Sequence, residues 1–232
     1  MASGARKPSS LARPPVAVVF DFDGTVADTR IDFGLMRRRI TRLLQRWGCW
    51  RDSFAQGLYV LEMIEAGAAL AAEQGLDANR LLAEAEQVLQ DIEVEAARRA
   101  PLLEGAAEAF ERLMRAEVAV GLITRNCQPA VEVVLERSPV CPSVILPRER
   151  ARRVKPAPDH LLQALEALDA PPEKSWLVGD HITDVQCAHA AGAHALALVG
   201  ASSSKEELRA AGADWLTSSL VEAVDFLLDH GA

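Results

Sequence analysis

Two aspartates, Asp21 and Asp23, stand one residue apart at the end of the apolar run VAVVF, which spans residues 16–20. A continuous apolar strand of this kind is typical of a parallel sheet that is covered on both faces. Gly24 follows the second acid, and an Asp-Gly pair favours a turn. The sequence therefore predicts a buried strand that delivers two carboxylates to the edge of a sheet.

Further polar residues follow the other predicted strands or stand near the starts of the next helices. This set consists of Thr124, Arg125, Asn126, Lys155, Asp180 and Asp184. In folds with a parallel sheet, ligands bind beyond the carboxyl ends of the strands. We therefore expect these side chains to meet Asp21 and Asp23 at one edge of the sheet.

Carboxylates that pack close together without partners repel one another and raise one another's pKa values. A hard divalent cation removes this conflict, because Mg²⁺ prefers oxygen ligands and keeps several waters. We predict that Asp21 and Asp180 would bind Mg²⁺ through their side chains and Asp23 through its backbone carbonyl. The carboxylate of Asp23 would then stay free.

A carboxylate that attacks phosphorus forms an acyl phosphate, which is labile and turns over readily. The obstacle is charge, since two unit charges about 4 Å apart repel by roughly 4 kcal/mol at an effective dielectric of about 20. Mg²⁺, Lys155 and hydrogen bonds from Thr124 and backbone N–H groups would offset this repulsion. Asp23 would protonate the leaving alkoxide and then activate a water molecule.

The elements that must position these residues alternate along the chain. Helices precede strands from about residue 105 to the end, which predicts an α/β fold with a Rossmann-like parallel sheet wrapped by helices. Between the first two strands, apolar residues repeat with the helical period, and three helices are expected over about 33–47, 54–74 and 81–100. We expect this insertion to form an α-helical cap with its own core.

The expected domain organisation has three parts. Residues 1–15 form a disordered tail, residues 16–30 and 101–232 form the α/β core domain, and residues 31–100 form the cap. Within the cap, one helical stripe is expected to be buried in the cap core. It consists of Phe33, Met36, Ile40 and Leu43.

Four segments resemble, in order, the motifs of the haloacid dehalogenase-like (HAD) superfamily. They are DFDGT at 21–25, Thr124, Lys155 in KPAPD, and GDHITD at 179–184. The resemblance covers about residues 16–200, and the insertion looks like the helical cap of the phosphoglycolate phosphatase-like branch. It implies a HAD-like core, a Mg²⁺ cofactor and a phosphatase that acts through an aspartyl-phosphate.

The resemblance also implies roles for individual residues. Asp21 would be nucleophile and metal ligand, Asp23 the general acid and base and a carbonyl ligand, and Asp180 the remaining ligand. Asp184 would hold the water shell of the metal or Lys155, and Lys155 would join the two acids as a catalytic residue. The expected phosphate-binding residues are Gly24, Thr124, Arg125, Asn126 and Lys155.

Some positions depart from the family pattern or leave their role open. Position 181 is His where many relatives carry Ser, and this His would either contact the substrate or be structural. Asn126 stands one place later than usual, and Arg125 takes its position, from where it would point into the site. The cap arginines would form a solvated face, or one of them would reach an anionic substrate. They are Arg37, Arg38, Arg39, Arg42 and Arg46.

Bulk composition excludes several classes of function. The 232-residue chain has a formal net charge of −8, so neither nucleic acid nor an anionic membrane is an expected partner. Apolar runs fall short of the roughly 18–20 residues of a spanning helix, and the basic segment RERARR at 148–153 is expected on the surface. The cysteines lack disulfide or zinc spacing, which favours a cytoplasmic location, or an organellar one if the basic N-terminus is a transit segment. They are Cys49, Cys127, Cys141 and Cys187.

The leading prediction is a Mg²⁺-dependent phosphomonoester hydrolase for a small phosphorylated metabolite, with phosphoglycolate as the specific candidate. Dehalogenases of the superfamily lack the second acid, and phosphonate-cleaving members use a cap lysine, whereas residues 31–100 contain no lysine. A phosphosugar mutase of the β-phosphoglucomutase type remains an alternative, because it needs the same acids. A catalytically inactive binding module is the more remote alternative. The oligomeric state does not follow from the sequence.

Overall fold

The computed structural model describes residues 14–200 and 202–231. Within them, six strands form one parallel sheet. The strands are β1 (Ala17–Phe20), β2 (Ala119–Ile123), β3 (Val144–Leu146), β4 (Ser175–Gly179), β5 (His194–Leu198) and β6 (Trp215–Thr217). Their order across the sheet is β3-β2-β1-β4-β5-β6, which confirms the predicted α/β class.

The register of the sheet aligns the carboxyl ends of its three central strands. Phe20, the last residue of β1, lies opposite Leu122 of β2 on one side and Val178 of β4 on the other. The residues that follow these strands therefore emerge side by side. This alignment brings the predicted acids and the residues after β2 to one edge of the sheet.

Helices cover both faces of the sheet. After the first strand, the helices are α1 (Phe33–Arg46), α2 (Val60–Glu73), α3 (Ala78–Ala97), α4 (Ala106–Arg115), α5 (Gln128–Leu135), α6 (Pro158–Ala167), α7 (Ile182–Ala191), α8 (Lys205–Ala210) and α9 (Leu220–His230). Alternate residues of β1 point to opposite faces, as the period of a strand requires. Val18 and Phe20 pack with α4, α5 and α9, whereas Ala17 and Val19 pack with α6, α7 and α8.

The first three helices have a separate core and occupy the segment 31–100, which we call the cap. Ile40 and Leu44 of α1, Met63 of α2 and Leu81 of α3 are fully buried in it. The prediction that Phe33 joins this core is wrong, because its side chain is 61% exposed. Phe33 is the first residue of α1, where the helix has not yet reached the packed part of the cap.

The second cap helix begins later than predicted. The expected start lay near residue 54, but residues 52–55 form a short 3₁₀ turn and α2 begins at Val60. Gly57 has φ of +90°, and Tyr59 is extended before the helix. A positive φ breaks a right-handed helix, so the apolar period alone placed the start too early.

Three further predictions concern membrane-spanning helices, the cysteines and the N-terminal tail. None of the described helices has the length and apolarity that crossing a membrane requires. The four cysteines are free thiols. The predicted N-terminal tail lies outside the described residues, apart from Pro14 and Pro15.

Candidate active site

Three buried aspartates meet at the carboxyl edge of the sheet. Asp21 follows β1, Asp180 follows β4, and Asp184 lies in the first turn of α7. One carboxylate oxygen from each lies within 4.8 Å of the others, and the three residues are at most 6% exposed. Burial raises the pKa of Asp21, and the charges of Asp184 and Asp180 raise it further against the lowering effect of Lys155.

Lys155 partly neutralises this cluster from a buried position. Its Nζ lies 2.5 Å from Asp21 Oδ1 and 2.6 Å from Asp184 Oδ1, and the residue is 2% exposed. Burial alone would lower the pKa of Lys155, but the charges of Asp184 and Asp21 outweigh it and raise that pKa above its usual value. One ammonium group therefore faces three carboxylates.

The carboxylate of Asp180 is the one left without a cation. Its Oδ2 is buried and accepts no hydrogen bond within the part of the chain that the structure describes. Burial raises the pKa of Asp180 to about 6, and the charge of Asp184 adds to this. A buried acceptor beside two further carboxylates fits a divalent metal ion, whose oxygen ligands are carboxylates and waters. Asp21 and Asp180 are the predicted side-chain ligands, and Asp184 lies close enough to join them.

The carboxylate of Asp23 is outside the cluster of Asp21, Asp180 and Asp184, and it accepts three hydrogen bonds from neighbouring side chains. Its Oδ1 accepts hydrogen bonds from Thr29 Oγ1 and Asn126 Nδ2, both at 2.8 Å, and its Oδ2 accepts one from Thr124 Oγ1 at 3.0 Å. Burial raises the pKa of Asp23, while these hydrogen bonds lower it. A raised pKa suits the predicted role of Asp23 as a general acid and base.

Thr124 and Asn126 contact Asp23 in this structure. The Thr124 hydroxyl donates its proton to Asp23 and accepts a hydrogen bond from the Asn126 backbone N–H at 2.9 Å. Asn126 Oδ1 accepts a further bond from the Cys127 N–H. Both residues thereby orient the Asp23 carboxylate, and their contact with phosphate stays a prediction.

Thr29 is a member of this network that the sequence analysis missed. It is 5% exposed and lies six residues after Asp23, in the loop that leads to the cap. Neither its type nor its spacing marks it as functional, because threonine is common near strand ends. The contact becomes visible only once the loop after Gly24 folds back beside β1.

We expect Thr29→Val to lower kcat about tenfold, because it removes one of the three hydrogen bonds that orient the Asp23 carboxyl group. The loss should be larger for an alkyl phosphate, which needs a proton on its leaving group, than for p-nitrophenyl phosphate. Thr25→Val is the matched control, since Thr25 is equally buried and its hydroxyl has no partner in the described structure. Equal losses in the two variants would contradict the role of Thr29.

Gly24 permits the close approach of Asp180. It has φ of +80°, and a Cβ at this position would lie inside van der Waals contact with Asp180 Oδ2. Steric hindrance by Asp180 thus explains why residue 24 is glycine, in addition to the predicted contact of Gly24 with phosphate. Gly179 does the same for Asp184, whose carboxylate would collide with a Cβ at residue 179.

We expect Gly24→Ala to weaken metal binding by displacing the Asp180 carboxylate. Gly192→Ala is the control, because Gly192 has φ of +77° but open space around its Cβ position. Both variants should lose about 1 kcal/mol of unfolding free energy through backbone strain. Mg²⁺ affinity, measured by calorimetry, should fall only in Gly24→Ala, and an unchanged affinity there would be contrary to the steric account.

Arg125 connects the core to the cap. Its Nη2 lies 2.8 and 2.9 Å from the two carboxylate oxygens of Glu62 on α2, and its Nη1 donates to the Lys155 carbonyl at 2.7 Å. The guanidinium also lies over the Tyr59 ring, 5.1 Å from its centre. The predicted phosphate contact of Arg125 would therefore compete with Glu62 for the same cation.

Arg148 forms a second link between core and cap. Its guanidinium is within 2.7 Å of Glu86 and 2.8 Å of Glu93, both on α3, and its side chain is 10% exposed. The prediction that the segment 148–153 lies entirely on the surface is wrong at this position. Removing one partner of such a buried pair is strongly destabilising, so this contact fixes α3 on the core.

His181 makes structural contacts at the start of α7 and also lines the cavity beside the acids, so its predicted contact with substrate stays open. Its Nδ1 accepts a hydrogen bond from the Thr183 backbone N–H at 3.2 Å, while the backbone N–H of His181 donates to Asp184 Oδ2 at 3.0 Å. These reciprocal bonds cap the N-terminus of α7 and orient Asp184. The imidazole ring also contacts the edge of the Tyr59 ring, with 5.6 Å between the ring centres.

A cavity of about 640 Å³ lies between the acids and the cap. The core side of its wall includes Asp21, Asp23 and Lys155, and the cap side includes Arg37 and Tyr59. A molecule in this cavity would contact both parts of the chain at once. The volume of the cavity suits a small ligand that reaches from the cap to the carboxyl edge of the sheet.

Comparisons with known proteins agree with this architecture. A haloacid dehalogenase-like hydrolase domain-containing protein of Arabidopsis thaliana is 30% identical over 177 residues, covering 76% of this chain and 67% of that protein. The pyrophosphatase PpaX of Bacillus cereus is 29% identical over 122 residues, which cover 52% of this chain and 56% of the enzyme. The match therefore spans little more than half the length of that pyrophosphatase.

A solved structure of a predicted phosphoglycolate phosphatase from Haemophilus somnus shares the fold, with a TM-score of 0.64 and 16% identity. The likeness covers 91% of this chain and 97% of that one. The family model of the haloacid dehalogenase-like hydrolases matches residues 18–198, which contain every predicted site residue. The chain thus belongs to the haloacid dehalogenase-like hydrolases, as its motifs led us to expect.

Proposed function

We propose that this protein is a Mg²⁺-dependent phosphomonoester hydrolase that acts on a small phosphorylated metabolite through an aspartyl-phosphate. The observation that carries the proposal is the contact of Lys155 with Asp21 beside Asp180, in a cavity lined by both the core and the cap. A nucleophile, a phosphate-binding cation and a metal site are needed together for this chemistry. The family membership and the phosphatase names of two relatives support it.

Asp21 and Asp180 would hold the metal ion, with the backbone carbonyl of Asp23 as a further oxygen donor, and Asp184 would hold the water shell of the metal or Lys155. When bound, Mg²⁺ supplies positive charge that offsets the repulsion between carboxylate and phosphoryl oxygens. Lys155 adds a second positive charge, which contacts Asp21 and Asp184. Together these charges would let one anion approach another at the carboxyl edge of the sheet.

In the first step, an oxygen of Asp21 attacks phosphorus, and the bond between phosphorus and the alkoxide oxygen breaks. Asp23 gives its proton to the departing alkoxide, so the product leaves as a neutral alcohol. In the second step, Asp23 takes a proton from water as that water attacks the phosphorus. Inorganic phosphate leaves, and the Asp21 carboxylate and protonated Asp23 are regenerated.

Phosphoglycolate remains the specific candidate for the substrate. The likeness to the predicted phosphoglycolate phosphatase of Haemophilus somnus supports the candidate, while the pyrophosphatase relative adds inorganic pyrophosphate to the compounds worth testing. The phosphosugar mutase uses the same acids and differs in the fate of the phosphoenzyme. The inactive binding module would be expected to lack an essential acid or the lysine, and this chain retains them all.

The proposal is tested by incubating the protein and Mg²⁺ with a panel of phosphometabolites and measuring inorganic phosphate. The panel includes phosphoglycolate, pyrophosphate, sugar phosphates and nucleoside monophosphates, with p-nitrophenyl phosphate as a general substrate. We expect phosphate release from at least one small monoester. Isomerised sugar phosphate without phosphate release would indicate the mutase, and no reaction with any compound would indicate the binding module.

A further inference from the structure

The basic side chains that line the cavity are almost all paired with acids. Four of the five lie within 4 Å of a carboxylate, and Arg37 on α1 is the exception among the described residues. The residues outside the structure add no acidic side chain, since positions 1–13, 201 and 232 contain neither Asp nor Glu. The paired members are Arg30, Arg125, Arg148 and Lys155.

Arg37 makes only neutral contacts. One terminal nitrogen donates to the Leu58 carbonyl, and the other lies 2.8 Å from the Met63 sulfur. A guanidinium group has five N–H donors, so several remain available. These contacts hold the side chain in place across the cap, but they do not neutralise its charge.

Apolar and aromatic side chains around Arg37 strengthen its electrostatic attraction for an anion. Phe33 lies one helical turn before it on the same face of α1, and Met36 and Tyr59 line the same cavity. Phe33, whose side chain is 61% exposed, therefore faces this cavity as well as solvent. Charges are screened less beside apolar walls than in open water.

The neighbouring arginines do not share this position. None of the other arginines of α1 lines the cavity, and two of them have acidic partners at the surface, Arg38 with Asp32 and Arg46 with Glu84. Arg39 is exposed and lacks an acidic partner within 4 Å in the described structure. The structure thus separates Arg37 from a run of arginines that are indistinguishable in sequence.

We propose that Arg37 binds a second anionic group of the substrate, at the end opposite the phosphoryl group that Asp21 attacks. The inference rests on the proposed phosphatase function and specifies its substrate class as phosphomonoesters that carry a second anion. A carboxylate and a second phosphate would both satisfy the guanidinium, because each can accept two parallel N–H bonds. Arg37 is then a specificity residue, since it lines the cavity from the cap and would contact the part of the substrate that does not react.

The test compares matched pairs of substrates. Alkyl phosphates of two to six carbons are set against ω-carboxyalkyl phosphates of the same length, the shortest pair being ethyl phosphate and phosphoglycolate. A second arm sets alkyl monophosphates against the corresponding α,ω-bisphosphates, which separates carboxylate from phosphate recognition. Values of kcat/KM are measured for the wild type, Arg37→Met, Arg37→Lys and the control Arg39→Met.

We expect the wild type to favour the doubly anionic member at one or more lengths by at least about tenfold, the size of a charge-assisted hydrogen bond. Arg37→Met should lose this preference yet hydrolyse the alkyl phosphates at nearly the wild-type rate. Arg37→Lys should keep part of the preference, and Arg39→Met all of it. Equal losses on both members of each pair, or no preference in the wild type, would overturn the proposal.

Failure of the phosphatase function is distinguishable from failure of this inference. If the wild type hydrolyses no compound, the proposed function is wrong, and the same pairs are then titrated calorimetrically into the wild-type and Arg37→Met proteins. Tighter wild-type binding of the doubly anionic member, lost in Arg37→Met, supports the anion site. Equal binding of both members by the wild type contradicts it.

Discussion

Asp21→Asn should abolish turnover while the protein stays folded. An amide oxygen is a poor nucleophile, and attack through it would not give an acyl phosphate, so the covalent route is closed. We expect kcat to fall by roughly four orders of magnitude or more, as for loss of a covalent nucleophile. The measurement is steady-state release of phosphate from p-nitrophenyl phosphate, with circular dichroism and thermal unfolding to establish that the fold persists.

Asp180→Asn separates the nucleophile role of Asp21 from its role as a metal ligand. Asp180 belongs to the same carboxylate cluster but has no predicted bond to phosphorus. Its loss should weaken Mg²⁺ binding, so that high Mg²⁺ concentrations restore part of the activity. Asp21→Asn should show no such rescue. Rescue of both variants to the same degree would contradict the assignment of Asp21 as nucleophile.

Removal of the divalent cation should silence the enzyme as completely as the loss of Asp21. Without the cation, one buried ammonium group faces three carboxylates, and an incoming phosphoryl group meets their repulsion. We expect activity to disappear in EDTA and to return when Mg²⁺ is restored. Undiminished hydrolysis after dialysis against EDTA would rule out the metal role of the cluster.

The raised pKa of Asp180 predicts that the stabilising effect of Mg²⁺ depends on pH. The pKa of Asp180 is raised to about 6 by burial, from a usual value of 3.8. At a pH below the pKa that Asp180 has in the unfolded chain, its carboxyl is protonated and contributes to the stability of the folded state. This contribution is lost as the pH rises through the folded-state pKa of about 6. Mg²⁺ binds the ionised carboxylate, so it should raise the melting temperature more at pH 7.5 than at pH 5. Asp180→Asn should remove most of that difference.

The carboxyl-edge acids could be predicted from sequence because their positions depend on local patterns. Asp21 and Asp180 each end an apolar strand, and parallel strands bring such ends together whatever the details of packing. Lys155 was identified through its motif, and the structure places it against Asp21. The family and the α/β fold, which are both confirmed, could be predicted for the same reason, since strand ends and motif order are read directly from the sequence.

Contacts between distant segments could not be predicted in this way. Arg148 pairs with Glu93, 55 residues earlier, and Thr29 reaches Asp23 through a folded loop. Periodicity placed Phe33 in the cap core, but it does not show that the packed part of α1 begins a turn later. Five arginines within ten residues look alike in sequence, and only the packing of α1 against α2 turns Arg37 toward the cavity.

The most direct test of the central claim is to trap the phosphoryl group on Asp21. Asp23→Asn should still react with p-nitrophenyl phosphate, whose leaving group needs no proton, but should hydrolyse the phosphoenzyme slowly because the base is absent. After rapid acid quench, peptide mass spectrometry should find one phosphoryl group on Asp21, and hydroxylamine should remove it. A burst of p-nitrophenol with an unmodified Asp21, or with the phosphoryl group on another residue, would contradict the account.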